Sequence, residues 1–262
     1  MALPDTYRKV VATKFTTNFR EAAAIVEEPL PTPEADEVLV RNLYAGVNAT
    51  DVNVSAGLYT PGAQPPIDLG LEVLGEVVAV GDGVEHLQVG MPIIGMYTGA
   101  GYREYSIHKA AHVLPVPEPK PEYMALLLSG MTAAVGLNVT GEMKSGETVL
   151  VTAAAGGTGQ IAVQLAKMAG NHVIGTCSTE EKAAFLRELG CDRVINYRQE
   201  DFATVIQEEY PNKLDIVYES VGRQMFDVAL DNLAVRGRLV IIGAIAEYVS
   251  GPEVVNSPRI WT

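Results

Sequence analysis

One stretch decides the fold of this 262-residue chain: Thr148-Val-Leu-Val-Thr-Ala-Ala-Ala-Gly-Gly-Thr-Gly-Gln-Ile-Ala-Val-Gln-Leu-Ala-Lys167. An apolar run typical of a buried strand leads into a glycine-rich turn, and the turn leads into an amphipathic helical pattern. The glycines allow the backbone to approach an anion closely, and a helix beginning near Gly159 offers free N–H groups and the positive end of its dipole. The stretch therefore predicts a phosphate-binding turn.

The turn also fits the dinucleotide-binding pattern Gly-x-Gly-x-x-Gly if an alanine takes the first glycine position. The predicted loop then contains Ala154, Gly156, Gly157, Thr158 and Gly159. The pattern requires a strand before the loop and a helix after it, and this chain has both. A tight turn that needs glycine for packing alone is the alternative, and the βαβ context favours dinucleotide binding.

From residue 123 onward, helical and strand patterns alternate. Strands are predicted at 149–153, 172–177, 193–197, 215–219 and 238–242. Helices are predicted at 160–169, 180–189, 201–210 and 225–233, after a first helical pattern at 123–138. Alternation of this kind with right-handed crossovers predicts an α/β fold with a doubly wound parallel sheet, the Rossmann arrangement.

The first 120 residues instead alternate short β-rich runs with glycine and proline. The clearest runs are 9–15, 22–28, 38–44, 71–80 and 91–97, and they predict a β-barrel-like domain. Prolines in the segment 113–121 oppose helix continuation and central strand pairing, which indicates a domain boundary there. We expect a β-rich domain over 1–121 and a nucleotide-binding domain over 122–262.

Composition excludes several classes of protein. A formal net charge of −13 argues against nucleic-acid partners, and 48% hydrophobic residues predict a substantial core. The two cysteines, Cys177 and Cys191, are too few for a disulfide framework and indicate a reducing, cytoplasmic location. No run approaches the roughly 18 apolar residues of a membrane span, so no membrane segment is predicted.

No metal site is predicted either. The four histidines are scattered, and the closest pair, His108 and His112, lacks the glutamate of His-Glu-x-x-His and precedes a proline-rich segment. No activated nucleophile motif is visible. The chemistry is therefore expected to come from a bound cofactor, with the protein supplying position and polarity.

The end of the second nucleotide-binding strand favours NADPH over NADH. It reads Gly175-Thr-Cys-Ser178, without the acid that would bind an unphosphorylated ribose. Glu181 is better explained by a capping box with Ser178 at the start of the next helix. Lys182 lies in the first turn of that helix, where a cation is unfavourable unless it pairs with a 2′-phosphate. A solvated surface lysine is the alternative.

Several motifs occur in one order along the chain: Gly46-Val-Asn-Ala-Thr-Asp51, Gly70-Leu-Glu72, Gly130-Met-Thr132, the loop 153–159, Ile195-Asn-Tyr197 and Gly243-Ala-Ile-Ala-Glu-Tyr248. Together they resemble the medium-chain dehydrogenase/reductase superfamily, and within it the zinc-free quinone oxidoreductase and prostaglandin reductase branch, from Arg8 to about Tyr248. The resemblance implies a GroES-like domain followed by an NADP-binding Rossmann domain.

The resemblance also implies roles for individual residues. Asn48 and Leu71 stand where zinc-dependent relatives have a ligating cysteine and histidine, which implies a zinc-free site with Asn48 near the nicotinamide and Thr132 beside it. Ser178, Lys182 and Tyr197 match positions that hold the adenosine phosphate end. An aromatic residue packed in the sheet is the alternative for Tyr197.

Two tyrosines match substrate-facing positions in the same family. Tyr248, in the loop that begins at Gly243, matches a tyrosine of prostaglandin reductases, and Tyr59 resembles one that lines the quinone oxidoreductase cleft. Either hydroxyl could stabilise negative charge that develops on a carbonyl oxygen. Each could also be only a pocket wall.

The implied activity is NADPH-dependent, metal-free reduction of the C=C bond of α,β-unsaturated ketones such as 15-oxo-prostaglandins. Quinone reduction and NADPH binding without turnover are the alternatives. Relatives continue beyond Thr262 with a closing strand and helix, so we expect a C-terminally shortened form with a weakened homodimer. Relatives are cytosolic or peroxisomal, and no peroxisomal tail is visible here.

Overall fold

A computed structural model describes residues 3–248, which fall into two compact units that divide between Leu128 and Ser129. The first unit is built mainly of strands: β1 (Thr6–Ala12), β2 (Ala23–Pro29), β3 (Glu37–Ala45), β4 (Ile67–Asp68), β5 (Glu72–Val80), β6 (Pro92–Met96), β7 (Tyr105–Lys109) and β8 (Val113–Pro115). Two short helices, α1 (Phe19–Ala22) and α2 (Ala49–Ser55), interrupt them.

The strands of this unit form two antiparallel sheets, with strand orders β2-β1-β4 and β7-β3-β5-β6-β8. A core cluster lies on one side of the larger sheet and includes Val38, Val40, Val77 and Ile93, all fully buried. Alternate residues of an antiparallel strand face one side, so Val38 and Val40 enter the same cluster. The five predicted β-rich runs are present.

Three strands and both helices were not predicted in this unit. β4 and β8 contain two and three residues, too few for a visible alternation of polar and apolar side chains. β8 includes Pro115 and pairs only with β6, at the edge of the sheet. An edge strand tolerates proline because one row of its N–H groups needs no partner.

The second unit has the predicted doubly wound architecture. Its strands are β9 (Thr148–Val151), β10 (His172–Cys177), β11 (Arg193–Asn196), β12 (Leu214–Glu219) and β13 (Leu233–Ile241), all parallel in the order β11-β10-β9-β12-β13. Its helices are α3 (Met131–Ala134), α4 (Gly157–Met168), α5 (Glu180–Glu188), α6 (Phe202–Glu209) and α7 (Arg223–Asp231). The strand order reverses between β9 and β12.

Both faces of this parallel sheet are covered. Val149 and Val151 of β9 pack in a cluster with α4, whereas Leu150 between them packs in a cluster with α6 and α7. All three side chains are fully buried. Burial on two sides explains why the strand reads as a continuous apolar run rather than an alternating one.

A helical run from Pro121 to Thr140 includes α3 between two π-helical segments, Leu126–Gly130 and Val135–Thr140. By length and composition this run could cross a membrane, with a mean hydropathy of 1.4, whereas no such run was found in the sequence. One such helix is weak evidence for a membrane span, because core helices of soluble proteins pass the same test; 22% of this window is buried, including Leu127, Ala133 and Leu137.

Candidate active site

The glycine loop connects β9 to α4 at the point where the strand order reverses. Gly156 donates its N–H to the carbonyl oxygen of Ala153 at 2.9 Å, and the N–H of Ala154 donates to that of Thr176 in β10 at 3.0 Å. α4 begins at Gly157, whereas the sequence predicts a start near Gly159 and a helical pattern over 160–169. Ligands of doubly wound sheets bind at the carboxyl ends of the strands at this reversal, so the loop occupies the expected position.

The glycines of the loop have different physical roles. A Cβ atom at Gly159 would lie 2.5 Å from the carbonyl oxygen of Ala153 and 2.8 Å from the Cα of Ala154, so this position needs glycine for packing. A Cβ at Gly157 would meet only the Ser129 hydroxyl oxygen, at 3.3 Å. Gly156 and Gly157 are exposed, whereas Gly159 is buried. The packing alternative therefore accounts for Gly159 but not for Gly157.

The start of α4 has the features of an anion site. No side chain caps it, so the first-turn N–H groups of a 12-residue helix lack side-chain acceptors within the described part of the chain. The hydroxyl oxygens of Ser129 and Thr158 lie 3.5 Å apart beside it. Ser129 was missed in the sequence, although its spacing of three residues from Thr132 on a helix would place the two on one face.

The residues predicted to hold the adenosine end lie around the carboxyl ends of β10 and β11. Ser178 follows β10, Tyr197 follows β11, and the N–H of Tyr197 donates to the carbonyl oxygen of Cys177 at 3.1 Å. The Tyr197 side chain is 43% exposed, which does not match an aromatic residue packed in the sheet. Lys182 is exposed and forms no ion pair with any residue between 3 and 248.

One sequence prediction at this edge is wrong. The N-cap of α5 is Thr179, not Ser178: the hydroxyl oxygen of Thr179 accepts the N–H of Lys182 at 3.3 Å. Thr179 has the extended backbone of a cap residue, so Glu181 is the second residue of the helix and not the third, as the capping box requires. Ser178 is thereby released from the capping role.

A second group of predicted residues follows β13. A Cβ atom at Gly243 would lie 2.7 Å from the hydroxyl oxygen of Tyr248, so the tyrosine hydroxyl lies directly against this glycine. The N–H groups of Ile245 and Ala246 donate to the carbonyl oxygens of Ser220 and Val221 after β12. Thr132 is half-buried in α3 of the same unit.

In the first unit, Asn48 lies immediately before α2 and its amide is held by a carboxylate. Its side-chain nitrogen donates to Glu72 Oε1 at 3.1 Å, and the second oxygen of Glu72 accepts the N–H of Leu128 at 3.3 Å. A Cβ at Gly46 would overlap the Glu72 side chain, which explains the glycine two residues before Asn48. Glu72 belongs to the motif Gly70-Leu-Glu72, but the sequence does not predict its contact with Asn48.

A buried acid supports the backbone at the same place. Asp51 accepts the N–H of Asn48 and the hydroxyl of Tyr102, both at 2.8 Å. Burial raises the pKa of Asp51, and these two hydrogen bonds oppose that rise. Tyr59 is not joined to this cluster: its side chain is 55% exposed and its hydroxyl has no hydrogen bond to the described residues. Its role stays a prediction.

The side chains at the zinc-ligand positions do not fit zinc. An asparagine amide already bonded to a carboxylate at position 48 and a leucine at position 71 supply none of the thiolate or imidazole ligands that zinc prefers. One group in the described residues could hold a cation by geometry, the surface carboxylates Glu34, Asp36 and Glu37. The Lys109 ammonium lies 2.8 to 3.6 Å from all three.

Comparison with known families identifies the class of protein. Residues 34–118 match the alcohol dehydrogenase GroES-like domain, and residues 157–262 match the zinc-binding dehydrogenase family. The chain belongs to the medium-chain dehydrogenase/reductase superfamily, as the motifs predicted.

Individual relatives place it near the branch that the motifs resembled. It is 51% identical to prostaglandin reductase-3 of Mus musculus over 95% of this chain and 66% of that protein. It is 47% identical to a probable quinone oxidoreductase of Leishmania amazonensis, over 97% of this chain and 75% of the relative. The structure of Escherichia coli quinone oxidoreductase complexed with NADPH matches 94% of this chain and 76% of its own, with a TM-score of 0.83 and 33% identity.

The chain thus spans about two thirds of the length of the prostaglandin reductases that it matches. The predicted shortening of the Rossmann domain concerns residues after 248 and lies outside the described part of the chain.

Proposed function

We propose that this protein is an NADPH-dependent, metal-free reductase of the C=C bond of α,β-unsaturated ketones, 15-oxo-prostaglandins among them. The observation that carries the proposal is the glycine loop, with an uncapped helix start and two exposed glycines at the reversal of strand order. A bound diphosphate would accept hydrogen bonds from the first-turn N–H groups of α4 and from the hydroxyls of Ser129 and Thr158.

The choice of NADPH rests on the adenosine end. β10 ends without an acid, Lys182 has no partner carboxylate in the described part of the chain, and Thr179 rather than Ser178 caps α5. A cation and a hydroxyl at this place suit a 2′-phosphate, whereas an acid would suit an unphosphorylated ribose. Tyr197 offers an exposed ring and hydroxyl beside them.

NADPH, when bound, supplies a hydride that adds to the β-carbon of the enone. Hydride addition makes the substrate oxygen negative. The hydroxyl of Tyr248 or Tyr59 would donate a hydrogen bond to this oxygen and stabilise the charge. The α-carbon then takes a proton from solvent or from a ribose hydroxyl. Asn48, whose amide is oriented by Glu72, would align the reacting groups.

Quinone reduction is the second candidate, favoured by the 47% identity to a probable quinone oxidoreductase. Both activities need the same cofactor site, and the substrate alone separates them. The two candidates are therefore tested in one experiment, in which purified protein receives NADPH with a 15-oxo-prostaglandin or with a quinone.

We expect NADPH oxidation with the enone, unchanged after dialysis against a metal chelator. Turnover of quinones alone selects the second candidate. NADPH binding is measured by nucleotide fluorescence. Binding without turnover of either substrate would support the alternative of a protein that binds NADPH but does not catalyse the reaction. No binding at all would refute the proposed function.

A further inference from the structure

A buried carboxylate lies at the carboxyl edge of the parallel sheet, beside the glycine loop. Glu219 is the last residue of β12, the strand that adjoins β9 where the strand order reverses. Its side chain is fully buried. A charged or polar group in such a place is costly unless it is well hydrogen-bonded, so its partners indicate its purpose.

The first set of partners is the turn that follows Glu219. Oε1 accepts the N–H of Val221 at 2.9 Å and the N–H of Gly222 at 3.0 Å, and Oε2 lies 3.1 Å from the same Gly222 nitrogen. Gly222 has φ +83°, a left-handed conformation that favours glycine. The carboxylate therefore fixes the backbone of residues 220–222.

The second partner joins this turn to the glycine loop. The hydroxyl of Thr152, the residue after β9, lies 3.3 Å from Glu219 Oε1 and accepts the N–H of Ser220 at 2.8 Å. Thr152 is also fully buried, and the next residue, Ala153, belongs to the loop that approaches α4. Glu219 and Thr152 thus connect the two strand ends on either side of the reversal.

The third connection runs to the segment that contains Tyr248. The carbonyl oxygens of Ser220 and Val221 accept the N–H groups of Ile245 and Ala246, at 3.0 and 3.1 Å. Residues 243–248 are therefore hydrogen-bonded to the turn 220–222, which the Glu219 carboxylate fixes. Movement of this turn would displace Gly243 and Tyr248 together.

We propose that Glu219 is a positioning residue, which fixes the glycine loop, the turn 220–222 and the segment 243–248 relative to one another for binding of the nicotinamide nucleotide. The nucleotide part of this proposal rests on the proposed function. The mutual positioning of the three segments does not, and it can be measured without any ligand.

The first measurement is amide hydrogen exchange of the ligand-free protein. Glu219→Gln keeps the size of the side chain but replaces the charged carboxylate with a neutral amide, whose single oxygen is a weaker acceptor and whose NH2 group cannot accept an N–H. We expect exchange at Val221, Gly222, Ile245 and Ala246 to become about tenfold faster, because charge-assisted hydrogen bonds that hold the turn are replaced by neutral ones. Unchanged exchange at these four amides would overturn the proposal.

Asp215→Asn is the matched control, because the Asp215 carboxylate accepts the N–H of Thr148 at 2.9 Å at the opposite end of the same sheet. It changes the same charge but should leave the four amides near their wild-type rates. If Asp215→Asn accelerates them as much as Glu219→Gln does, the effect is general destabilisation and the proposal fails.

The second measurement is the Kd of NADPH, followed by nucleotide fluorescence. Glu219→Gln and Thr152→Val should each raise the Kd about tenfold, whereas Thr152→Ser, which restores the hydroxyl, should stay near wild type. An unchanged Kd in both of the first variants refutes a role in nucleotide binding. Failure of the wild type to bind NADPH would refute the proposed function and the nucleotide part together, while the exchange data still decide the positioning of the segments.

Discussion

At the scale of single residues, Lys182 is the residue that we propose selects NADPH over NADH. It is exposed and forms no ion pair among residues 3–248, so its removal should not affect folding. We expect Lys182→Ala to weaken NADPH binding by roughly 10-fold to 100-fold, the effect of losing a charge-assisted hydrogen bond to phosphate, with little change for NADH. Fluorescence titration with both nucleotides measures this.

Lys213→Ala is the control for this substitution, because Lys213 is another exposed lysine of the same unit. It should leave both affinities unchanged. Equal losses for NADPH and NADH in Lys182→Ala would contradict the 2′-phosphate role, and no loss for either nucleotide would restore the alternative of a solvated surface lysine.

Two glycines of the loop should respond differently to an added methyl group. Gly159→Ala places a Cβ 2.5 Å from a backbone oxygen, and we expect a loss of about 1 to 3 kcal/mol in unfolding free energy because the backbone must shift. Gly157→Ala meets only a hydroxyl at 3.3 Å and should keep near-normal stability while weakening NADPH binding. Denaturant unfolding with parallel titrations checks both, and equal stability losses would contradict the assigned roles.

At the scale of elements, the start of α5 offers a test of which residue is the cap. Thr179→Ala removes the acceptor for the Lys182 N–H and should cost about 1 kcal/mol of stability. Ser178→Ala, one residue earlier, should leave stability unchanged and instead weaken NADPH binding. Thermal unfolding distinguishes the two, and a larger stability loss in Ser178→Ala would support the original capping-box prediction.

A buried histidine in β7 gives the first unit a pH-dependent stability. Burial, with the nearby Arg103 charge, lowers the pKa of His108 to about 4. The unfolded chain takes up a proton below about pH 6.5 and the folded chain only below about 4, so stability falls as pH decreases through this window. The loss should total roughly 3 kcal/mol.

Denaturant unfolding between pH 4 and 7 measures this dependence. His108→Gln should flatten it, since glutamine does not titrate, whereas His112→Gln, at an exposed position, should keep the wild-type slope. An unchanged slope in His108→Gln would show that other groups govern the acid sensitivity.

The elements that were predicted have a recognisable pattern in contiguous sequence, whereas the missed ones do not. The five parallel strands were predicted because β-rich runs alternate with helical patterns, and β9 is the clearest of them because it is buried on both faces. The glycine loop was predicted because its motif is contiguous. The cap was placed one residue too early because Ser178 and Thr179 are both good caps, and the backbone conformation decides between them. β8 was missed because three residues show no periodicity.

Residues of the candidate site were proposed from the sequence only where they form motifs or occupy a telling position. Asn48 was proposed from a motif match, and Lys182 from its position in the first turn of a helix and from such a match. Glu219 and Ser129 were missed because their roles depend on contacts with residues distant in sequence: Glu219 lies 67 residues from Thr152, and Ser129 lies 29 residues from Thr158. A sequence pattern does not contain pairings of this kind.

At the scale of the whole molecule, the chain combines a GroES-like unit that holds Asn48 through Glu72 with a Rossmann unit that presents an open glycine loop. The chain belongs to a superfamily whose members include prostaglandin reductase-3 and quinone oxidoreductases, and we propose that it is a metal-free reductase.

Transfer of label from NADPH is the sharpest test of the proposed enone reduction. NADPH carrying deuterium at the transferable C4 position is incubated with the chelator-treated protein and a 15-oxo-prostaglandin, and the product is analysed by mass spectrometry. We expect a saturated ketone with one deuterium at the β-carbon and a solvent-derived hydrogen at the α-carbon. A product without deuterium at the β-carbon, or no product from any enone, would contradict it.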